Sequence, residues 1–238
     1  MDEDRSRRGM GALPGEGDTE DPVSSPGKDS DISRVDLLQM GLLVEGGLVI
    51  LALVIGGLGF CDPHQSLMDL GWQTVLFPAL FWGILGTLPM LLLLWALLKS
   101  EWRICRRMRE TVDDKLVPLF GNCSLSELAI LSCLAGLGEE LFFRWCLQGG
   151  VTDWWGGAAG PWIGMVVVGV IFGFCHFINL NYAFWISWVG IYLGGLMVLS
   201  GTYLAPVISH AAYDFIALWI LASRQKRALC RDSAPESQ

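Results

Sequence analysis

A small group of ionisable side chains lies inside apolar stretches in the second half of the chain. Its members are Glu139, Glu140, Arg144, His176, His210 and Asp214. An ionisable group in such a stretch must find a partner or water, so each one is a candidate for function. The chain has three histidines, and two of them belong to this group.

The spacing of these residues predicts which of them can meet on one helix. Glu140 and Arg144 are four residues apart, one helical turn, so they can form an ion pair. Glu139 lies about 100° around the helix from Glu140 and can point elsewhere. His210 and Asp214 are also four apart, so the carboxylate can hold the imidazole.

The chemistry that these residue types allow is hydrolysis. A partly desolvated carboxylate can take a proton from water near neutral pH. A neutral imidazole can share that water or pass the proton to a leaving amine, and a second imidazole can stabilise the oxyanion that develops. The sequence has no GxSxG motif and no Ser or Cys beside a His in a recognisable nucleophile arrangement.

Structural explanations exist for each residue taken singly. Glu140 and Arg144 can be an ion pair that only ties helices together, and a lone His in a span is often a helix–helix hydrogen bond. Glu45 is interpreted as a snorkelling or interhelical group. A functional site is favoured because these residues occur together: three predicted helices carry two Glu, two His, one Arg and one Asp.

The distribution of charge predicts an integral membrane protein. The 238 residues are 53% hydrophobic and only 17% charged. The 16 basic residues lie within 1–34, 99–115 and 224–231, with Arg144 the one exception. The net charge of -8 argues against a nucleic-acid partner.

About 20 apolar residues are needed to cross a bilayer, and six stretches are predicted to do so. They are residues 37–60, 75–98, 125–148, 161–178, 183–200 and 204–222. Ser124 and Glu127 fit a capping box at the start of the third, and Pro161 fits the first turn of the fourth. The predicted fold class is therefore an all-α membrane bundle of about six transmembrane helices.

The remaining segments complete the predicted organisation. Residues 1–36 are expected to form a disordered acidic cytoplasmic tail, without a signal peptide. Residues 37–98 are two N-terminal spans, 99–123 a basic cytoplasmic loop, 124–222 the core and 223–238 a cytoplasmic tail. The positive-inside rule places both termini in the cytoplasm, at the cell membrane if the source is bacterial. The basic loop is either a topology signal or a contact for anionic lipid.

Three motifs in order resemble the CPBP family of intramembrane proteases. They are Glu139-Glu140-x-x-x-Arg144, Phe172-x-x-x-His176 and His210-x-x-x-Asp214, within about residues 124–222. The family contains Rce1-type CAAX prenyl endopeptidases and bacteriocin-processing (Abi) proteins. The resemblance implies an all-helical membrane fold with a cavity open to the cytoplasm and to lipid.

The resemblance also implies a role for each motif residue. Glu139 would activate water with His176 as its partner, and His210 would polarise the scissile carbonyl with Asp214 beside it. Glu140 would pair with Arg144 as a structural ion pair, and Phe172 lies one turn before His176 and can pack against it.

One position departs from the prenyl-processing members, which are expected to have Asn where this chain has Asp214. An ionised Asp cannot donate to an oxyanion, so Asp214 is either protonated or an acceptor that orients His210, which we favour. The departure makes a CAAX substrate less favoured. The expected function is cleavage of a membrane-associated peptide or protein. The alternatives are a non-proteolytic scaffold or immunity-type protein and, more weakly, a proton or ion transporter.

Two questions stay open at the level of sequence. Glu139, His210 and His176 do not fall at one depth if every helix is a straight, full-width span. No cofactor is expected, but Glu139, His176, His210 and Asp214 are acceptable ligands for a divalent metal such as zinc. HExxH is absent. The substrate, the cleavage position and the oligomeric state do not follow from the residues.

Overall fold

The computed structural model describes residues 34–59 and 72–232, and this part of the chain is helical without any strand. The helices are α1 Arg34–Gly57, α2 Trp72–Lys99, α3 Arg103–Lys115, α4 Val117–Phe120, α5 Leu125–Glu140, α6 Gly149–Trp155, α7 Gly160–Cys175, α8 Leu180–Ser200 and α9 Leu204–Asp232. A π-helical segment, Leu141–Gln148, joins α5 to α6. The predicted tail before residue 34, most of the loop 61–74 and residues 233–238 lie outside the described residues.

Four helices are long and apolar enough to cross a membrane: Val35–Gly57, Val75–Lys99, Leu180–Ser200 and Leu204–Arg227. A further apolar helix, α7, has only 16 residues. The predicted all-α membrane bundle is confirmed, and the protein is a multi-pass membrane protein. The predicted third span is helical as well, but it passes from α5 into the π-helical segment.

The predicted helix starts are confirmed at the Ser124 capping box and at Pro161. Ser124 Oγ accepts from the Glu127 amide, and Glu127 Oε2 accepts from the Ser124 amide at 2.7 Å. Pro161 occupies the first turn of α7. Asn179, which the sequence analysis did not single out, caps α8 by accepting from the Tyr182 amide at 3.0 Å.

Two segments have more helix than the sequence predicted. Residues 99–123 were expected to form a loop, but they form α3 and α4, because α3 is amphipathic and buries Cys105 and Met108. Arg109 Nη1 donates to the Leu97 carbonyl at 2.6 Å and to the Ser100 carbonyl, which fixes α3 against the end of α2. Helix α9 continues to Asp232, past the predicted end at residue 222.

Small residues allow the helices to pack closely. Helix α7 lies against α8, and α9 lies against both α2 and α5. At Gly83 and Gly136 a Cβ atom would come within 3 Å of α9 side-chain atoms. Such close helix contacts through small residues are typical of membrane bundles. They bring the ends of α5 and α7 to the first turns of α9.

Candidate active site

Glu139 lies at the centre of the candidate site, in the last turn of α5. Its Oε1 is 3.3 Å from His176 Nε2, and its Oε2 is 4.0 Å from His210 Nε2. The residue is 8% exposed, and Oε2 has no hydrogen-bond partner among the described residues. The structure therefore brings together the carboxylate and the two imidazoles that the sequence placed on three separate helices.

Glu140, the next residue, is fully buried. Its Oε2 is 2.9 Å from Arg144 Nε, and its Oε1 accepts from His210 Nδ1 at 2.8 Å. The contact to Arg144 is an ion pair by distance, although the two groups are not aligned for a hydrogen bond. Glu140 thus contacts both Arg144, four residues further along the chain, and His210 on α9. The sequence predicted only the contact with Arg144.

Arg144 lies in the π-helical segment and has no exposed surface. Its guanidinium carbon is 4.7 Å from the centre of the Phe172 ring, a cation–π arrangement. The amide of Gly149 donates to the Arg144 carbonyl five residues back, the bond of a π-helix. Segments of this kind are rare and are often found at functional sites.

His176 follows directly after the last residue of α7. Its Nδ1 donates to the Phe172 carbonyl at 2.8 Å, which leaves Nε2 facing Glu139. The imidazole packs on the Phe172 ring with 4.6 Å between the ring centres. Because the side chain is 32% exposed, a substrate can reach this edge of the site.

His210 is enclosed, and carboxylates lie on both sides of its ring. Nδ1 donates to Glu140, while Nε2 is 3.4 Å from Asp214 Oδ2 and faces Glu139. Carboxylate oxygens only accept, so a hydrogen bond from Nε2 as well requires an imidazolium. The side chain of Asp214 is 29% exposed and forms the outer side of this group.

The mismatch in depth expected for straight spans does not separate the residues. Helix α7 spans about 24 Å at 1.5 Å per residue, less than the hydrocarbon thickness. His176 therefore sits at the end of a short helix, and His210 lies only six residues after the start of α9. Both histidines therefore lie close to Glu139 in the last turn of α5.

Glu45 on α1 lies beside the candidate site, and its contact with α5 agrees with the interhelical alternative expected from the sequence. Its carboxylate interacts electrostatically with Glu139, His210, His176 and Asp214. It lies against Gly138, where an added Cβ would be 2.7 Å from Glu45 Oε2. The signal in the sequence was a single charge in an apolar helix, but nothing in the spacing shows which helix it faces.

No group of three or more His, Cys, Asp or Glu within 34–59 and 72–232 has an arrangement suited to a metal ion. An apolar groove of about 730 Å³ lies elsewhere, against α2, α7 and α8, and includes Trp82, Met165, Tyr192 and Leu196 in its lining. None of the candidate residues lines this groove. The polar cluster, where acid and base groups converge, is therefore the candidate active site.

Residues 122–216 match the family model described as type II CAAX prenyl endopeptidase Rce1-like. Over this segment the chain is similar to the Rce1-like family. All seven residues of the three motifs lie within the Rce1-like segment, whereas Glu45 lies outside it. The match supports a CAAX-type intramembrane protease in general, with a peptide substrate and a bilayer around it. Comparisons with curated proteins and with solved structures found no match.

Proposed function

We propose that this protein is an intramembrane endopeptidase that hydrolyses a peptide bond in a membrane-associated peptide or protein, using water activated by Glu139 and His176. The observation that carries the proposal is the convergence of three helices on one carboxylate. Glu139 has one oxygen 3.3 Å from His176 Nε2 and the other 4.0 Å from His210 Nε2.

In the proposed reaction, Glu139 takes a proton from water while the water oxygen forms a bond to the scissile carbonyl carbon. His176 Nε2 orients that water beside Glu139 Oε1. His210 Nε2 supports the negative charge on the carbonyl oxygen, with Asp214 and Glu140 holding the imidazolium. The tetrahedral intermediate then loses the C–N bond, and the proton goes to the leaving amine. The products are a carboxylate and an amine.

We further propose that both termini lie in the cytoplasm, at the cell membrane if the source is bacterial. The proposal follows from the basic clusters at 99–115 and 224–231, since basic residues are retained on the cytoplasmic side. The substrate would then reach His176 and Asp214, the more exposed members of the site.

The test uses the full chain in liposomes with two labelled reporter peptides that end in a CAAX-type tetrapeptide, one farnesylated and one not. Glu139→Gln and His176→Ala are expected to lower cleavage by about 100-fold or more, the range for losing general-base catalysis. Glu101→Gln is the matched control, because Glu101 is an exposed carboxylate at the start of the basic segment. Its cleavage rate is expected to stay at the level of the unaltered chain.

Thermal unfolding of each variant separates catalysis from folding. Loss of cleavage with an unchanged unfolding temperature supports the proposal. Full cleavage in both variants, or a change in stability alone, would favour a structural role for the cluster, as in a scaffold protein.

The mechanism assigns the activation of water to Glu139 and His176, without a metal. We therefore expect treatment with a strong chelator, followed by its removal, to leave cleavage of the same reporter peptides unchanged. Loss of cleavage that added zinc restores would contradict this expectation. The same treatment of Glu101→Gln controls for damage to the vesicles.

A further inference from the structure

Glu45 is an acidic side chain in the middle of an apolar membrane-spanning helix. The chain has no Lys or Arg between residues 35 and 98, so α1 and α2 carry basic residues only at their ends, at Arg34 and Lys99. Glu45 Oε2 is enclosed and has no hydrogen-bond partner among the described residues. Leaving an ionised carboxylate unpaired in such a place is costly, so the group needs a counter-ion or a proton.

The position of Glu45 next to the catalytic carboxylate comes from the close crossing of α1 and α5. Gly138, the residue before Glu139, is the contact point, because any larger residue would collide with the Glu45 carbonyl and carboxylate. Glu139, His210, His176 and Asp214 all lie within electrostatic range of Glu45. Glu45 is therefore part of the same electrostatic unit as the site.

The charges of this unit do not balance among the described residues. It has four carboxylates, on Glu45, Glu139, Glu140 and Asp214, and at most three cations, on Arg144, His176 and His210. Arg144 contacts Glu140, and each imidazole contacts at least one of the other acids. Glu45 is the carboxylate that is left without a contacting cation.

We propose that Glu45 is a substrate-recognition residue that binds a positively charged group, a lysine or arginine side chain close to the scissile bond. This inference rests on the proposed endopeptidase function and names the class of peptide that the site prefers. Glu45 as a residue is only half-buried although its Oε2 is enclosed, so a ligand would approach from the exposed side of the residue. A cationic side chain supplies both the missing charge and the missing hydrogen-bond donor.

The test measures binding before cleavage, so that it does not depend on turnover. Two labelled peptides ending in the same farnesylated CAAX-type tetrapeptide differ at one upstream residue next to the tetrapeptide, which is lysine in one and norleucine in the other. The full chain in lipid nanodiscs is expected to bind the lysine peptide about 10- to 100-fold more tightly, the range for one charge-assisted hydrogen bond. Glu45→Gln is expected to remove that preference and to leave norleucine-peptide binding unchanged.

Asp36→Asn is the matched control, because it removes the other carboxylate of α1 about 13 Å away along the helix axis. This variant is expected to keep the lysine preference. Equal binding of the two peptides by the unaltered chain, or a preference that persists in Glu45→Gln, would overturn the inference. Infrared spectra at neutral pH give a further check. A protonated-carboxyl signal that the unaltered chain shows and Glu45→Gln lacks would mean that Glu45 carries a proton in place of a cation, and would also overturn the inference.

The same peptides keep this inference separate from the proposed function. If Glu139→Gln still cleaves them at the full rate, the proposed mechanism fails whatever the binding shows. If Glu139→Gln is inactive and the lysine preference does not depend on Glu45, only the recognition role is refuted.

Discussion

At the scale of single residues, the most consequential feature is the buried group formed by Glu140, Arg144 and His210. Glu140 makes close contacts to both basic partners, and all three side chains are nearly or fully enclosed. A buried ion pair adds little net stability, but losing one partner leaves an uncompensated charge inside the protein. The group therefore fixes the geometry of His210 more than it stabilises the fold.

We expect Arg144→Met to lower the free energy of unfolding by about 3–5 kcal/mol, because Glu140 Oε2 would lose its cation while His210 contacts only Oε1. Arg144→Lys retains the charge and is expected to cost less. Denaturant unfolding of both variants in detergent micelles measures the difference. The double variant Arg144→Met with Glu140→Gln is expected to recover part of the loss, and a loss below about 1 kcal/mol in Arg144→Met would contradict the ion-pair explanation.

At the scale of helices, the crossing of α7 and α8 positions His176. Gly173 faces α8 so closely that a Cβ would lie 2.5 Å from the Ala183 carbonyl oxygen. Gly169 and Gly190 make the same crossing tight on either side. Because His176 is three residues after Gly173, any separation of the two helices would move its imidazole.

Gly173→Ala is expected to cost about 1–3 kcal/mol of stability, the usual penalty of overpacking, and to reduce cleavage as His176 moves away from Glu139. Thermal unfolding and the reporter-peptide assay measure the two effects. Gly47→Ala is the control, since an added Cβ there meets no atom within 4 Å and alanine favours a helix. Equal behaviour of the two variants would contradict the packing argument.

Asn179 connects the start of α8 to α3. Its side chain accepts from the Tyr182 amide at the start of α8 and donates to Thr111 Oγ1 on α3 at 3.0 Å. We expect Asn179→Ala to lower the free energy of unfolding by about 1 kcal/mol, the typical cost of losing an N-cap. Asn181→Ala, which removes one exposed hydrogen bond to Ile104, is expected to change it by less. A larger effect at Asn181 would refute the capping assignment.

The sequence predicted the helices well because their signals are local. Apolar length, the Ser124 capping box and Pro161 depend on residues within a turn or two of one another. The bond from His210 to Glu140 and the approach of Glu45 to Gly138 join residues 70 and 93 positions apart, and no local pattern reports them. The π-helical segment was also missed, because its composition is that of an ordinary apolar helix.

At the scale of the whole molecule, the distribution of apolar and charged side chains fits a lipid bilayer. Four helices have the length and hydropathy of membrane spans. Helices α5 and α7 are shorter, with 16 residues each, and α5 also contains Glu139 and Glu140. Charged residues in the polar cluster face one another inside the bundle, as intramembrane charges generally do. The lipid-facing surface is left to apolar side chains such as Leu43, Phe77 and Trp188.

The orientation is checked with reporter fusions expressed in a bacterial host. We expect fluorescence from a green fluorescent protein fused after residue 238, because the proposed topology places the C-terminus in the cytoplasm. Alkaline phosphatase fused after residue 158 is expected to be active, because 149–160 has no Lys or Arg and the proposed topology places it on the opposite side. Active phosphatase at the C-terminus would reverse the orientation.

The wide turns of Leu141–Gln148 have a consequence for how this stretch tolerates changes in length. A π-helical turn carries more residues than an α-helical turn, so deleting one residue would let the chain tighten into regular winding. The tighter winding would offset most of the lost rotation, so the residues beyond the deletion would nearly keep their register. Gln148, whose amide donates to the Gly194 carbonyl at 3.1 Å, would stay close to its buried place. A one-residue deletion here is therefore expected to be less damaging than the same deletion in a regular helix such as α8, where the residues that follow would rotate by about 100°.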